Sequence, residues 1–282
     1  ERIKLRPGKY GDALEGRTLV MLFELPSLRT RVSFEAGMTQ LGGHAIYYGV
    51  EAGGFTRGET LDDGVRVLSR YCDCIMARVL KQEDMERIGA AATVPVINGM
   101  TERYHPCQNL ADLLTIREKK GALEGLKIAY VGDGWCNTAN STMIGCASVG
   151  MKVTVVCPDN PKYAPQPEIV AEVEERTGKA IAVSHDPHEG VEGADVIYSD
   201  VWISAGMEEE KEERMEAFPP YQVNAELVSH ADPDTIIMHC LPAHRGLEIT
   251  SEVMDSPQSV VIDQAENRMH AQKGLLFWLL KR

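Results

Sequence analysis

Short apolar runs alternate along the chain with longer segments in which apolar positions recur at helical spacing. The pattern predicts strands at Thr18–Phe23, Ala45–Tyr48, Cys74–Arg78, Val94–Asn98, Lys127–Gly132, Lys152–Val156, Ala180–Val183, Val196–Ser199 and Thr235–His239. It predicts helices at Thr30–Leu41, Thr60–Tyr71, Gln82–Ala91, Gln108–Lys119, Asn140–Val149, Pro167–Thr177 and Ala265–Leu280. Because such alternation is typical of helix-covered parallel sheets, we predict an α/β fold with two doubly wound parallel-sheet domains and helices on both faces.

Charged residues and two glycines interrupt this alternation at Lys119–Gly125, as expected for a boundary between domains. Another strongly charged run, Met207–Glu216, is predicted to be a solvated helix start or loop. We therefore predict a first domain at residues 1–120 and a second at 121–262. The C-terminal helix, at 263–282, is predicted to pack back on the first domain.

The charge and apolar content of the chain argue against two classes of partner. The 29 Lys and Arg residues stand against 42 Asp and Glu, a formal net charge of −13 that disfavours nucleic acid and anionic membranes. The longest apolar candidate, Gly274–Leu280, is far shorter than the roughly 20 residues that cross a bilayer. The seven cysteines show no CxxC pair, which fits reduced thiols and predicts a cytoplasmic protein.

Ligands of open α/β sheets bind beyond the carboxyl ends of the strands, so residues just after each predicted strand are candidates for chemistry. After the first strand come Ser27, a favourable helix N-cap, and then Arg29 and Arg31. One interpretation is a simple cap with two solvated arginines. The other is an anion site, because hydroxyls, guanidiniums and free N–H groups at one helix N-terminus bind phosphate.

Three further polar side chains follow the third and fourth predicted strands, namely Arg78, His105 and Gln108. Taken singly, each could be structural. Together they could converge on a polarised carbonyl, where Arg78 and His105 would donate to developing negative charge. Cys107, which lies among them, is interpreted as packing.

A glycine-rich turn from Gly132 to Gly134 opens the second half and invites a dinucleotide interpretation. The GxGxxG motif is absent, however, and Trp135 and Cys136 stand where glycines would let a pyrophosphate approach. The two domains and this turn suggest a nicotinamide-dependent dehydrogenase as one hypothesis. The missing GxGxxG motif argues against it.

Later strands are followed by a carboxylate, a hydroxyl, an imidazole and a thiol, contributed by Asp200, Ser204, His239 and Cys240. His239 and Cys240 could mimic a metal pair, but no third ligand has helical or hairpin spacing, so zinc is not predicted. Adjacent side chains on a strand face opposite ways, so the pair is not predicted to be a nucleophile and its base either.

The order and spacing of these motifs resemble the aspartate/ornithine transcarbamylase family over essentially the whole chain. Ser27–Thr30 resembles the S-T-R-T signature for carbamoyl phosphate, and Arg57–Glu59, Arg78 and the HPxQ match at His105–Gln108 reinforce it. Two segments indicate the ornithine branch. The HCLP segment, residues 239–242, stands where the aspartate branch shows HPLP, and Ala265–Arg268 near the end also resembles the ornithine enzymes.

The resemblance implies transfer of a carbamoyl group from carbamoyl phosphate to the δ-amine of L-ornithine, with no metal or organic cofactor. It assigns carbamoyl phosphate to Ser27, Leu28, Arg29, Thr30, Arg78, His105, Gln108, Cys240, Leu241 and Arg268. It assigns ornithine to Asn137, Asp200, Ser204 and Ala205, and catalysis to Arg78, His105, Asp200, Cys240 and Arg268. It also implies a homotrimer or a multiple of trimers, with the loop Gly53–Glu59 completing a neighbour's site.

Two departures from the family pattern leave alternatives open. Leu28 replaces a threonine but keeps a backbone donor, whereas Ala205 stands where the ornithine enzymes read S-M-G. If the methionine side chain of the ornithine enzymes shapes the pocket, alanine leaves room for a larger acceptor. Putrescine, lysine or an acylated ornithine is therefore an alternative acceptor. A ligand sensor without turnover is a further alternative. The direction of the reaction in metabolism, biosynthetic or catabolic, also stays open.

Overall fold

The computed structural model describes residues 1–50, 58–204 and 207–281. Its strands are β1 Thr18–Phe23, β2 His44–Gly49, β3 Cys74–Arg78, β4 Val96–Met100, β5 Lys127–Val131, β6 Lys152–Val156, β7 Ala182–Ser184, β8 Val196–Ser199 and β9 Ile236–His239. Its α-helices are α1 Arg2–Leu5, α2 Leu28–Gln40, α3 Leu61–Leu68, α4 Gln82–Ala91, α5 Pro106–Lys120, α6 Asn137–Ser148, α7 Pro167–Thr177, α8 Pro187–Val191, α9 Lys211–Ala217, α10 Ala225–Val228, α11 Ser251–Met254 and α12 Val261–Leu280. Short 3₁₀ segments are Pro7–Lys9, Glu208–Glu210 and Pro219–Tyr221. Among the described helices, none is long and apolar enough to span a bilayer.

The chain forms two compact units, one made of residues 1–111 and 266–282 and the other of residues 112–265. Each unit contains one sheet, and the described strands within each sheet are parallel. The predicted α/β class with two parallel sheets is therefore confirmed. The domain boundaries predicted at 120 and 262 stay predictions.

The sheet of the first unit has the strand order β2–β1–β3–β4. Leu19, Met21 and Phe23 of β1 pack into the core on one face of this sheet. Val20 and Leu22, which alternate with them, pack into the core on the other face. A parallel strand buried on both faces needs apolar residues at consecutive positions, which is why β1 has a continuous apolar sequence.

The C-terminal helix α12 completes the core of the first unit. Leu276 and Leu280 pack in the same cluster as Ile3, and this confirms the predicted return of the last helix to the first domain. A Cβ atom at Gly37 would lie 3.2 Å from Cγ of Lys273, so a glycine in α2 permits the close approach of α12.

The sheet of the second unit has the order β7–β6–β5–β8–β9. One of its faces is covered by short helices that contribute Val191 and Leu227 to a core containing Val131 and Ile197. Helix α8 approaches β6 closely at Gly190, where an added Cβ would lie 2.5 Å from Cγ2 of Val156.

Most differences between the predicted and observed elements lie at helix starts. Helix α2 begins at Leu28 because Ser27 caps it, accepting a hydrogen bond from the backbone N–H of Thr30. Helix α5 begins at Pro106, a residue suited to the first helical position. The short helices α8, α10 and α11 were not predicted, since one turn displays no periodicity.

The charged run Met207–Glu216 is only partly solvated. It forms a 3₁₀ turn followed by most of α9, but the side chain of Arg214 is 3% exposed. The prediction of a solvated segment is therefore wrong at Arg214, because buried acceptors in the same unit compensate its charge.

Replacing Gly190 by alanine should lower the thermal midpoint of unfolding, because overpacking of this kind costs roughly 1–3 kcal/mol. Gly89→Ala is a matched control: Gly89 also lies in a helix but has open space around it. The control should gain stability, by about 1 kcal/mol, from helix propensity. Equal midpoints for the two variants in differential scanning calorimetry would contradict this account of α8.

Candidate functional site

In the first unit, three strands end next to one another and lead into polar residues. Ser27 follows β1, Arg78 ends β3 and His105 follows β4. Because β1, β3 and β4 are neighbours in a parallel sheet, these residues share its carboxyl edge. Helix α12 adds Arg268 to the same unit.

A chain of buried and partly buried hydrogen bonds connects the first turn of α2 with α5 and α12. The Ser27 hydroxyl donates to Oγ1 of Thr30 at 3.2 Å. Arg268 donates from Nη2 to that same oxygen at 3.2 Å and from Nη1 to Oε1 of Gln108 at 2.8 Å. Thr30, Gln108 and Arg268 are all nearly inaccessible to solvent, so the network fixes the guanidinium plane of Arg268.

His105 is a neutral imidazole in strongly positive surroundings. Its pKa lies well below the ordinary value, first because it is buried and then because the guanidiniums of Arg268, Arg78 and Arg29 repel a further positive charge. A neutral ring can still donate a hydrogen bond. The structure thus gathers three cations and an uncharged donor at one edge of the sheet, an arrangement suited to an anion.

Two residues of the same region take other roles. Arg31, predicted at the anion site, pairs with Glu35 at 3.0 Å and lies 3.9 Å from the centre of the Tyr47 ring. These contacts engage its guanidinium, and because residues two positions apart in a helix point to opposite sides, Arg31 lies across α2 from Arg29. Its predicted place at the anion site stays a prediction. Leu28 is largely exposed, so it can offer only its backbone N–H.

Cys107 is interpreted correctly as a packing residue. Its thiol donates to the carbonyl oxygen of Asn98 at 3.3 Å, and burial raises its pKa to about 11. A protonated, buried thiol is a poor nucleophile.

In the second unit, the neighbouring strands β5, β8 and β9 lead to the other candidates. Asp200 follows β8 and Cys240 follows β9, and the thiol of Cys240 donates to Oδ1 of Asp200 at 2.9 Å. Burial, together with the carboxylate of Asp200, raises the pKa of Cys240 well above its ordinary value. Cys240 is therefore a neutral donor that orients Asp200.

The imidazole of His239 holds the backbone that follows it. The backbone N–H of Leu241 donates to Nδ1 at 2.9 Å, so Nε2 carries the proton and faces Oε1 of Glu248 at 3.3 Å. Leu241 has φ +59°, a left-handed conformation that is strained for a leucine. Glu248, which the sequence analysis missed because it lies outside the motif, thus helps to hold the HCLP segment.

The ligand atoms of Asp200, His239 and Cys240 lie within 4.8 Å of one another. The third group that sequence spacing did not supply therefore comes from a neighbouring strand. Both nitrogens of His239 are engaged, with Leu241 and Glu248, so a metal ion here would have to break one of those hydrogen bonds.

The remaining acceptor residues are placed only in part. Asn137 is the first residue of α6, after β5, and Ser204 lies beyond β8, at the same sheet edge as Asp200. Ala205 and Arg57 lie outside the described residues.

The glycine-rich turn after β5 is filled by protein rather than open to a dinucleotide. Asp133 accepts a hydrogen bond from Arg214 Nη1 at 2.7 Å, with both side chains 3% exposed, and accepts another from the N–H of Trp135. A Cβ at Gly134 would lie 2.8 Å from the carbonyl oxygen of Tyr163. The glycine serves close backbone packing, so the dehydrogenase hypothesis loses its structural basis.

Comparison with known proteins matches both halves of the chain. A family model described as the carbamoyl-P binding domain of aspartate/ornithine carbamoyltransferase matches residues 1–118, and one for the Asp/Orn binding domain matches 124–279. The ornithine carbamoyltransferase of Thermococcus kodakarensis is 53% identical over 95% of this chain and 85% of its own. An anabolic ornithine carbamoyltransferase of Pyrococcus furiosus is also 53% identical, with the same coverage. The solved ornithine carbamoyltransferase structure from P. furiosus has a TM-score of 0.91 at 50% identity, covering 99% of this chain and 89% of that one.

The imidazole of His105 should remain neutral well below pH 6.5. In a histidine-labelled NMR titration, the His105 resonance, assigned by its loss in His105→Gln, should not move between pH 8 and 6. Because the unfolded chain binds a proton that the native ring rejects, stability should fall as pH drops below about 6.5, by up to ~1.4 kcal/mol per pH unit. A titration midpoint near 6.5 would contradict both the burial of His105 and the placement of the three guanidiniums around it.

Proposed function

The chain belongs to the aspartate/ornithine carbamoyltransferase family, and on this premise we propose that it transfers the carbamoyl group of carbamoyl phosphate to the δ-amine of L-ornithine. The amine nitrogen bonds to the carbonyl carbon and loses a proton, while the bond between that carbon and the phosphate oxygen breaks. The products are L-citrulline and phosphate.

The observation that carries this proposal is the gathering of Arg29, Arg78 and Arg268 around the buried His105 at one edge of the sheet. Positive charge at the N-terminus of α2 suits a dianionic phosphate, and the helix dipole adds to it. We assign the phosphate group to Ser27, Arg29, Thr30 and the backbone N–H of Leu28. In a protein of net negative charge, three guanidiniums gathered around one buried imidazole form a local positive field that favours an anion.

The same cluster can polarise the carbamoyl carbonyl. Arg78 and His105 are the assigned donors to the oxyanion that forms when the amine attacks, and one well-placed donor contributes about 3 kcal/mol. The guanidinium of Arg268 is fixed in place by Gln108 and Thr30 before any substrate binds. Such preorganisation avoids reorienting a charged side chain during the reaction.

The second unit supplies the residues for the amino acid. The carboxylate of Asp200, oriented by Cys240, suits an ammonium group, and we assign to it the α-amine of ornithine. Asn137, Ser204 and Ala205 are assigned to the α-amine and α-carboxylate. Because Cys240 is a neutral thiol, it serves as a donor beside the attacking amine rather than as a nucleophile.

The substrate amine must lose a proton before it can attack, since an alkyl amine has a pKa of about 10.4 in water. The neutral His105 and the neutral Cys240 add no negative charge that would favour the ammonium form. Orientation and desolvation of the amine must supply the rest, and the departing phosphate is the assigned proton acceptor.

Three broader assignments accompany this reaction. We infer that it runs toward citrulline, as in arginine biosynthesis, because one of the most similar relatives is described as anabolic. We infer a cytoplasmic enzyme, because all seven cysteines carry free thiols. We infer a homotrimer from the family resemblance, supported by the exposed edge strand β2, where Ile46, Tyr47 and Tyr48 are 42%, 37% and 37% accessible.

The reaction can be tested with carbamoyl phosphate and a panel of amines, namely L-ornithine, putrescine, L-lysine, N-acetylornithine and L-aspartate. We expect rapid ureido product with ornithine alone. Preference for another amine would keep the carbamoyl-phosphate assignment and overturn that of the acceptor. Absence of product with every amine would favour a non-catalytic sensor.

Two arginine variants add a matched control to this assay. Arg78→Ala should lose turnover by at least about 100-fold, because a donor to the oxyanion is removed. Arg87→Ala should retain it, since Arg87 pairs with Asp62 and Asp84 on an exposed helix. Near-normal turnover in Arg78→Ala, with its fold intact by circular dichroism, would contradict the role of Arg78.

The assembly can be tested by light scattering. We expect a mass three times, or a multiple of three times, the 31.1 kDa of one chain. Ile46→Lys on β2 should reduce the mass, whereas Val183→Lys, on the edge strand β7 of the other sheet and also exposed, should not. A monomeric wild-type protein would contradict the trimer.

A further inference from the structure

Two imidazoles and a carboxylate converge on the exposed surface of the second unit. His188 lies in α8, Glu226 lies in α10, and His230 follows α10 by two residues. The reaction proposed above uses none of the three.

The three side chains meet through their metal-binding atoms. Nε2 of His188 lies 3.0 Å from Oε2 of Glu226, and Nε2 of His230 lies 3.2 Å from Oε1 of the same carboxylate. The two rings are stacked, with centroids 4.5 Å apart and planes inclined by 22°. One nitrogen of each ring and a Glu226 oxygen all lie within 4.8 Å of one another.

We propose that His188, Glu226 and His230 bind one divalent transition-metal ion of the zinc class, which links α8 to α10. Two imidazoles and one carboxylate form a donor set typical of Zn²⁺, with the fourth position left to water. Tetrahedral bonds of about 2.0–2.2 Å place neighbouring ligand atoms about 3.4 Å apart. The two N–O separations of 3.0 and 3.2 Å already lie near that spacing, and no pair of the three ligand atoms is more than 4.8 Å apart, so a small adjustment of the side chains reaches it.

The side chains can make this adjustment while their backbones stay fixed. His188, His230 and Glu226 are 47%, 43% and 62% exposed, so their rings and carboxylate have room to turn. The helices beneath them are anchored in the core by the buried Val191 and Leu227. A partly preorganised site of this kind loses little conformational entropy on binding an ion.

Charge around the cluster also favours a cation. Asp186 caps α8, accepting hydrogen bonds from the backbone N–H groups of His188 and Glu189 at 2.9 and 3.1 Å. Its negative charge acts on both imidazoles. Metal binding requires the Nε2 lone pairs, so the protons now shared with Glu226 must leave or be carried on Nδ1.

A second pair in the chain shows what the additional imidazole contributes. Glu266 and His270 in α12 also stand four residues apart and contact each other at 2.9 Å. Among the described residues, no second histidine lies close enough to this pair to complete a group of three possible metal ligands. Glu266 and His270 therefore form an ordinary helical pair, whereas His188 converts the Glu226–His230 pair into a chelating set.

The test is titration of the untagged full chain with Zn²⁺ and with Co²⁺, followed by calorimetry and visible absorption. We expect one ion per chain at this site, with a Co²⁺ spectrum of nitrogen and oxygen ligands. His188→Asn combined with His230→Asn should weaken binding at least about 100-fold. His44→Asn, which changes an exposed histidine of the first unit, should leave the affinity unchanged.

Thermal unfolding gives an independent readout. A free Zn²⁺ concentration of about one hundred times Kd should raise the unfolding midpoint of the wild-type chain by about 5 °C. The double variant should show no such rise.

Unchanged uptake by the double variant would overturn the proposal. So would a Co²⁺ spectrum with thiolate charge-transfer bands that disappears in Cys240→Ser, because it would place the ion at Asp200 and Cys240. The proposal would also be overturned if the wild-type protein bound neither ion more tightly than the double variant does.

Discussion

The site of the first unit depends on electrostatic repulsion among its own residues. Burial first, and then repulsion from Arg268, Arg78 and Arg29, lowers the pKa of His105 and keeps the imidazole neutral. Cations gathered in a poorly hydrated place destabilise the protein unless hydrogen bonds or an anion compensate them. Gln108 and Thr30 compensate Arg268 in part. An anionic substrate would compensate the remaining positive charge, so the repulsion that destabilises the empty site would strengthen binding of the anion.

Parallel pairing explains why chemistry-bearing residues that are distant in the sequence share one edge. In the first unit β1, β3 and β4 are neighbours, and in the second β5, β8 and β9 are. Each strand must be apolar at consecutive positions because both of its faces are buried, so polar groups collect where the strand ends. The buried strands thus position the candidate sites.

This constraint also explains how much could be predicted from the sequence. Continuous apolar strands gave the α/β class, and the residues after them included Ser27, Arg78 and Asp200. Arg268 came only from the family resemblance, since nothing in helical periodicity connects α12 with β1. Arg29 and Arg31 look alike in the sequence but lie on opposite sides of α2, and a charged run gave no sign that Arg214 would be buried.

Glu248 shows a different limit of sequence reasoning. A buried glutamate at that position has no local signal, because its partner His239 belongs to β9 and the bond depends on how the intervening loop folds. That bond leaves Nδ1 of His239 to accept the N–H of Leu241, which holds a strained backbone next to Cys240. Adjacent residues of one motif therefore have different roles: Cys240 presents a neutral donor to Asp200, and His239 fixes the backbone next to Cys240. Because neither His105 nor Cys240 changes charge near neutral pH, these two side chains orient and polarise, and the proton that must move belongs to the substrate amine.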